Sequence, residues 1–169
     1  MKKAILIILS IISLPCICIL VFIYQFTVSD DNYAEYYEVE LTKAQLIRES
    51  ETIKKTNPSY QVWSIQQNGD SINPDGAGEY KTWNYFLYFY LEEEDYTLLC
   101  IVREKGLDHS IIILRSISQG KNFASWKTIN SESLDKKVNE RIKKKFEDQI
   151  LNNLGRWKRK CWLYGVWNG

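Results

Sequence analysis

The chain has 169 residues, 45% hydrophobic and 14% aromatic, with 22 Lys/Arg, 21 Asp/Glu and one His, for a formal net charge of +1. That balance excludes a uniformly basic nucleic-acid binder and an acidic disordered chain, and the apolar content is enough to bury a core. The near-zero charge is a cancellation: residues 136–160 carry ten Lys/Arg against three Asp/Glu, whereas residues 28–135 carry ten against eighteen.

Residues 4–26 contain no charged side chain, and about 20 apolar residues suffice for a helix to cross a bilayer. Lys2 and Lys3 precede this run, and Asp30, Asp31, Glu35, Glu38 and Glu40 follow it. The positive-inside rule then predicts a single-pass anchor with a cytoplasmic N-terminus and an extracytoplasmic domain, periplasmic or cell-surface. Tyr24-Gln25-Phe26-Thr27 offers no small-x-small cleavage site, so residues 1–27 read as an uncleaved signal anchor and residues 28–169 as one outer domain. Cys16 and Cys18 follow Pro15 and Ile17 rather than the small residue that precedes a lipidated cysteine, and read as small apolar side chains.

Residues 30–40 read as a tether or an edge strand with Tyr33, Glu35, Tyr37, Val39 and Leu41 on one face. Thr42 and Gln45 fit a capping box inside a Leu41–Leu46 staple, which predicts a helix over 43–56 with Lys54 and Lys55 at its negative end and Asn57-Pro58 as its stop. Four strands are expected next, at 60–67, 82–91, 96–104 and 109–118, and the short turns between the last three make an antiparallel meander. In the second, Trp83, Tyr85, Leu87, Phe89 and Leu91 share one face, and Asn84, Phe86, Tyr88 and Tyr90 the other. A long helix over 133–154 places Leu134, Val138, Ile142, Phe146, Ile150, Leu151 and Leu154 along a stripe that drifts about 40° per step of four, so its path is curved or broken. It is expected to cover the meander's second face. The fold class is therefore α+β: an N-terminal membrane helix, then one two-layer domain of helix, four-stranded antiparallel meander and long C-terminal helix. The order is similar in shape to cystatin-like folds, without their Gln-x-Val-x-Gly segment.

No cofactor or metal pattern is present. The one histidine, His109, and Cys100 fall too far apart along a shared ladder for a nucleophilic dyad. The cysteines have no zinc spacing, and Gly69, Gly76 and Gly78 form no phosphate loop. Cys100 and Cys161, both outside the membrane in this topology, are a possible disulfide. Residues 68–81 form a loop long for a meander, and such loops are often functional.

The chain is thus expected to be a binding protein rather than an enzyme: a membrane-anchored domain that recognises another protein, for example a bacterial envelope immunity protein that neutralises a toxin. Asp70, Asp75 and Glu79 in the loop, with Glu92, Glu93, Glu94 and Asp95 in the next turn, are the candidate partner contacts, since charge complementarity orients association. Arg156, Trp157, Lys158, Arg159, Lys160, Trp162 and Trp167 form a basic, Trp-rich tail suited to a membrane surface, an anionic lipid or an envelope polymer. Two alternatives stand beside this reading, an accessory subunit of a membrane complex and an envelope hydrolase whose carboxylates converge only in the fold.

Overall fold

A computed structural model describes residues 33–65, 71–77, 84–121 and 123–160. The expected membrane segment, Asp70, Glu79, Cys161, Trp162 and Trp167 lie outside them. Among the described residues no helix is long and apolar enough to cross a membrane.

In chain order the elements are β1 (Glu35–Val39), α1 (Lys43–Thr56), β2 (Ser64–Ile65), β3 (Ser71–Ile72), β4 (Gly76–Ala77), β5 (Tyr85–Leu91), β6 (Tyr96–Lys105), β7 (His109–Gln119), β8 (Trp126–Thr128) and α2 (Lys136–Phe146). A π turn (Glu147–Leu151) and α3 (Asn152–Leu154) prolong α2 into a 19-residue C-terminal helix, and β9 (Trp157–Lys160) follows. Six strands run in the order β4-β5-β6-β7-β1-β9, β8 adds to β7 beside β1, and β2 and β3 form a separate ribbon. Strand pairings are antiparallel throughout.

The helix over 43–56 and the three long meander strands form where the sequence places them, and the domain is α+β. Four details differ. Residues 60–67 do not make a meander strand: Pro58 fixes φ at the first position of a 3-10 turn, Pro58–Tyr60, and the Asn57 side chain accepts the Ser59 N–H at 3.3 Å to cap it. Among the described residues of that stretch the strand is the two-residue β2, in the separate ribbon. Within the 30–40 stretch, Glu35–Val39 is not an edge strand but β1, hydrogen-bonded on both sides between β7 and β9. The first part of the Trp-rich tail is that outer strand, β9.

The fourth difference concerns the layers. The long helix does not cover a second face; both helices pack on the same one. Leu46 of α1 and Ile142, Phe146, Ile150, Leu151 and Leu154 share a single core with Tyr37, Val39, Leu87, Phe89, Cys100, Val102, Ile112 and Leu114. The π turn explains how one helix keeps that stripe aligned. A turn closed i→i+5 rotates the chain less per residue than an α turn, which offsets the forward drift and returns Ile150 and Leu151 to the sheet. Asp135 starts the helix by accepting from the N–H groups of Lys137 and Val138 at 2.9 and 3.0 Å. The opposite face carries a smaller apolar cluster of Ala34, Tyr36, Ile101 and Ile113, with Phe86 and Ile111 against it.

Candidate functional site

Helix α1 buries Leu46, Ser50 and Lys54, each four residues apart and therefore on one face. Ser50 Oγ donates to the Leu46 carbonyl at 2.8 Å. Lys54 thus points inward rather than lying along the helix end. Its ammonium pairs with the Asp75 carboxylate, and the two side chains are only 8% and 3% exposed. A buried charge is tolerated only when paired and hydrogen-bonded, and the carboxylate meets that condition through the Lys54 ammonium and the Tyr88 N–H. Asn73 Oδ1 accepts the Asp75 N–H at 3.0 Å, which turns the chain at Pro74. Asp75 Oδ1 accepts the Tyr88 N–H at 2.8 Å, so the carboxylate continues the β5 ladder just where two-residue β4 ends. The Lys54 ammonium also stands 4.6 Å from the centre of the Phe89 ring.

Above this ion pair opens a cleft of about 220 Å³ lined by Glu51, Lys55, Gln61, Val62, Trp63 and Asn73. It is smaller than the roughly 300–1,000 Å³ of sites for drug-sized ligands, and has room for one side chain or one ring. Trp63 is 52% exposed and immediately precedes the β2–β3 pair Ser64–Ile72, as Asn73 immediately follows it. Gln61 Nε2 donates to the Lys54 carbonyl at 3.1 Å and ties that wall to α1. Burial first, and then the Asp75 charge, raise the phenols of Tyr85 and Tyr88 above their ordinary value.

Of the expected partner contacts, Asp75 therefore forms the floor of a cleft. The turn Glu92–Asp95 lies instead against the basic helix: Glu94 is 2.7 Å from Arg141 Nε, Glu93 pairs with Lys145, and Asp95 accepts the Tyr90 hydroxyl at 2.7 Å. The acidic and basic halves seen in the sequence meet inside the molecule. Lys54, Gln61, Trp63 and Asn73 do not stand out as site residues in the sequence; the four-residue spacing of Lys54 from Ser50 and Leu46 is the one signal that points to them.

The basic tail is likewise committed to the fold as far as Lys160. Trp157 packs edge-on to Tyr37 at 5.6 Å, and its Nε1 donates to Asn152 Oδ1 at 2.9 Å. Arg156 lies 4.0 Å from Glu40, and Arg159 pairs with Glu147 beside the Tyr37 hydroxyl, which donates to the same carboxylate oxygen at 2.9 Å. Lys105 and Lys160 each reach Glu38 Oε2 at 2.7 Å, and Lys158 reaches Oε1 at 3.4 Å. Burial alone would raise the Glu38 carboxyl, but the bonds from Lys105 and Lys160 outweigh it and hold the pKa at about 2 against an ordinary 4.5. The folded value lies below the unfolded one, so the stabilisation is complete above about pH 5 and is lost as the pH falls toward 2. Acidification over that window is expected to withdraw about 2–3 kcal/mol through this group. Urea midpoints at pH 7, 4 and 2.5 check it, and Glu38→Gln flattens that dependence.

Cys100 is a fully buried free thiol on the helix-covered face. Burial pushes its pKa up; Lys54 opposes that shift and Asp75 adds to it. His109 sits opposite Lys105 and holds Asp108 at 2.7 Å, five residues along the ladder from Cys100, or about 16 Å. The two are not brought together. Among the described residues no group of three His, Cys, Asp or Glu could hold a metal ion. No known protein family matches the chain, and no curated protein matches it.

Proposed function

We propose that the chain is a membrane-anchored, extracytoplasmic domain that binds another protein through the Trp63 cleft, and that its partner is a toxin which the domain neutralises at the membrane. The observation that carries the reading is a half-exposed tryptophan on the wall of a cleft whose floor is a buried ion pair, its carboxylate also accepting the Tyr88 N–H. Binding energy at protein interfaces concentrates on such aromatic anchors beside well-packed pockets. The floor is held by α1, β5 and the 73–75 turn at once, so a partner side chain meets a preorganised surface and little ordering cost opposes it. The uncharged run at residues 4–26 supports placement at a membrane.

The test uses the full chain in cells of its source, with a photo-crosslinking residue in place of Trp63 or, as a control, of exposed Lys136. One discrete adduct formed from position 63 and absent from position 136 is expected, and Trp63→Ala should abolish protection of cells exposed to the adducted protein. The same adducts from both positions, or unchanged protection with Trp63→Ala, would overturn the reading.

A further inference from the structure

Strands β1 and β8 share one edge of β7: Glu35 pairs with Leu114, and two residues further along β7, Ser116 pairs with Thr128. The chain therefore joins the domain beside β8. Strand β9 ends at the same level, Lys160 opposite Tyr36. At this end the face of the sheet on which no described helix packs carries an aromatic cluster. Tyr88 and Phe123 meet edge-on at 5.3 Å, Phe123 lies 5.8 Å from Trp126, and Tyr88 lies 6.2 Å from Trp126. Trp126 is 37% exposed, and Tyr33, where the described chain begins, is 51% exposed. Phe123 has φ = 46°, a left-handed conformation costly for so bulky a residue, about 1–3 kcal/mol. The fold thus maintains a strained backbone where the ring joins the cluster. Lys121 stands 4.4 Å above the Tyr90 ring beside it.

Covalent geometry says what this end faces. Six residues, 27–32, separate the apolar run from Tyr33 in the sequence, and the seven links from residue 26 to Tyr33 reach at most about 25 Å. Strand β7, at 11 residues, is about 36 Å long. A tether shorter than the domain keeps the β8 end near the bilayer, whereas the opposite end is free to stand clear of it. That opposite end is the β6–β7 turn, where Leu107 is 95% exposed.

We infer that the sheet end bearing Tyr88, Phe123 and Trp126 rests on the lipid surface; this rests on the reading of residues 4–26 as a membrane span. Tyr and Trp rings with flanking lysines are the side chains that settle at the headgroup level, apolar body inward and polar edge in water. Two of the four carboxylates in the nearby acidic turn, Glu93 and Glu94, carry their own counter-ions in Lys145 and Arg141. The contact is aromatic rather than ionic, so a zwitterionic bilayer suffices.

The experiment places p-benzoylphenylalanine at position 126, or at exposed Ala124 so that the Trp126 ring is retained, in the full chain in phosphatidylcholine nanodiscs. Position 107 serves as control, and adducts are read by mass spectrometry after irradiation. Lipid adducts at 124 or 126 at least ten-fold above those at 107 are expected. Equal yields at the two ends, or adducts to a second protein copy instead of lipid, overturn the contact alone. A chain that does not remain with the nanodiscs overturns the membrane span and the contact together.

Discussion

Asp75→Ala is expected to cost about 3–5 kcal/mol of folding stability, because it leaves the Lys54 ammonium buried without a counter-charge and the Tyr88 N–H without an acceptor. The measurement is the urea midpoint of the purified full chain, with the slope checked so that a change in cooperativity is not mistaken for a change in stability. The double substitution Lys54→Met/Asp75→Leu separates charge from packing. Replacing both ions by apolar groups of similar bulk is near neutral in other proteins, so the double variant should recover most of the loss and fall short by about 1 kcal/mol for the orphaned Tyr88 N–H. A single-variant cost below about 1 kcal/mol would mean that water replaces the carboxylate at the cleft floor. The rigidity on which the binding proposal depends would then be absent.

Phe146→Ala is expected to be as damaging, about 3–5 kcal/mol, by the lost transfer energy and the cavity left behind. Phe146 has no exposed surface and lies 5.6 Å from the Tyr37 ring and 6.5 Å from the Phe89 ring. It therefore joins β1, β5 and the last residue of α2 immediately before the π turn. Phe146→Leu keeps most of the volume and should cost under about 1.5 kcal/mol. Equal losses for Ala and Leu would show that ring geometry, rather than filled volume, holds the helix at this point. Thermal unfolding of the two variants beside the parent chain decides it.

Elements whose signals are local are legible in the sequence. The Thr42–Gln45 capping box forms with both of its bonds, at 3.3 and 2.9 Å, because every atom involved lies within four residues. Alternation in Leu87, Phe89 and Leu91 marks a buried sheet face for the same reason. The one-sided layering is not legible, since nothing in a helical stripe says which face of a sheet it meets. Nor is the place of β1, whose partners are separated from it by most of the chain: Glu35 pairs with Leu114 and Tyr36 with Lys160. The cleft is half visible. Asp75 stands out as a loop acid, but Lys54 suits a helix terminus equally well, and only the turn at Asn73 brings the two together. The charge asymmetry is plain, yet composition does not tell an internal match from a surface awaiting a partner. Arg141 with Glu94 and Lys145 with Glu93 make it internal in part.

Strand β1 also fixes how the domain answers a pull. Among the described residues it is the strand nearest the N-terminus, and it lies inside the sheet with ladders to β7 on one side and β9 on the other. Force transmitted through the residues before Tyr33 runs along the strand axis, so both ladders are loaded in shear and must yield together rather than one bond at a time. Glu38, gripped by Lys105, Lys158 and Lys160, adds cross-links among three neighbouring parts of the sheet. Resistance to such a load is set by the unfolding rate rather than by equilibrium stability. The domain is therefore built to hold when tugged from its N-terminal side, and it would open more readily by peeling β9 from the outer edge of the described sheet.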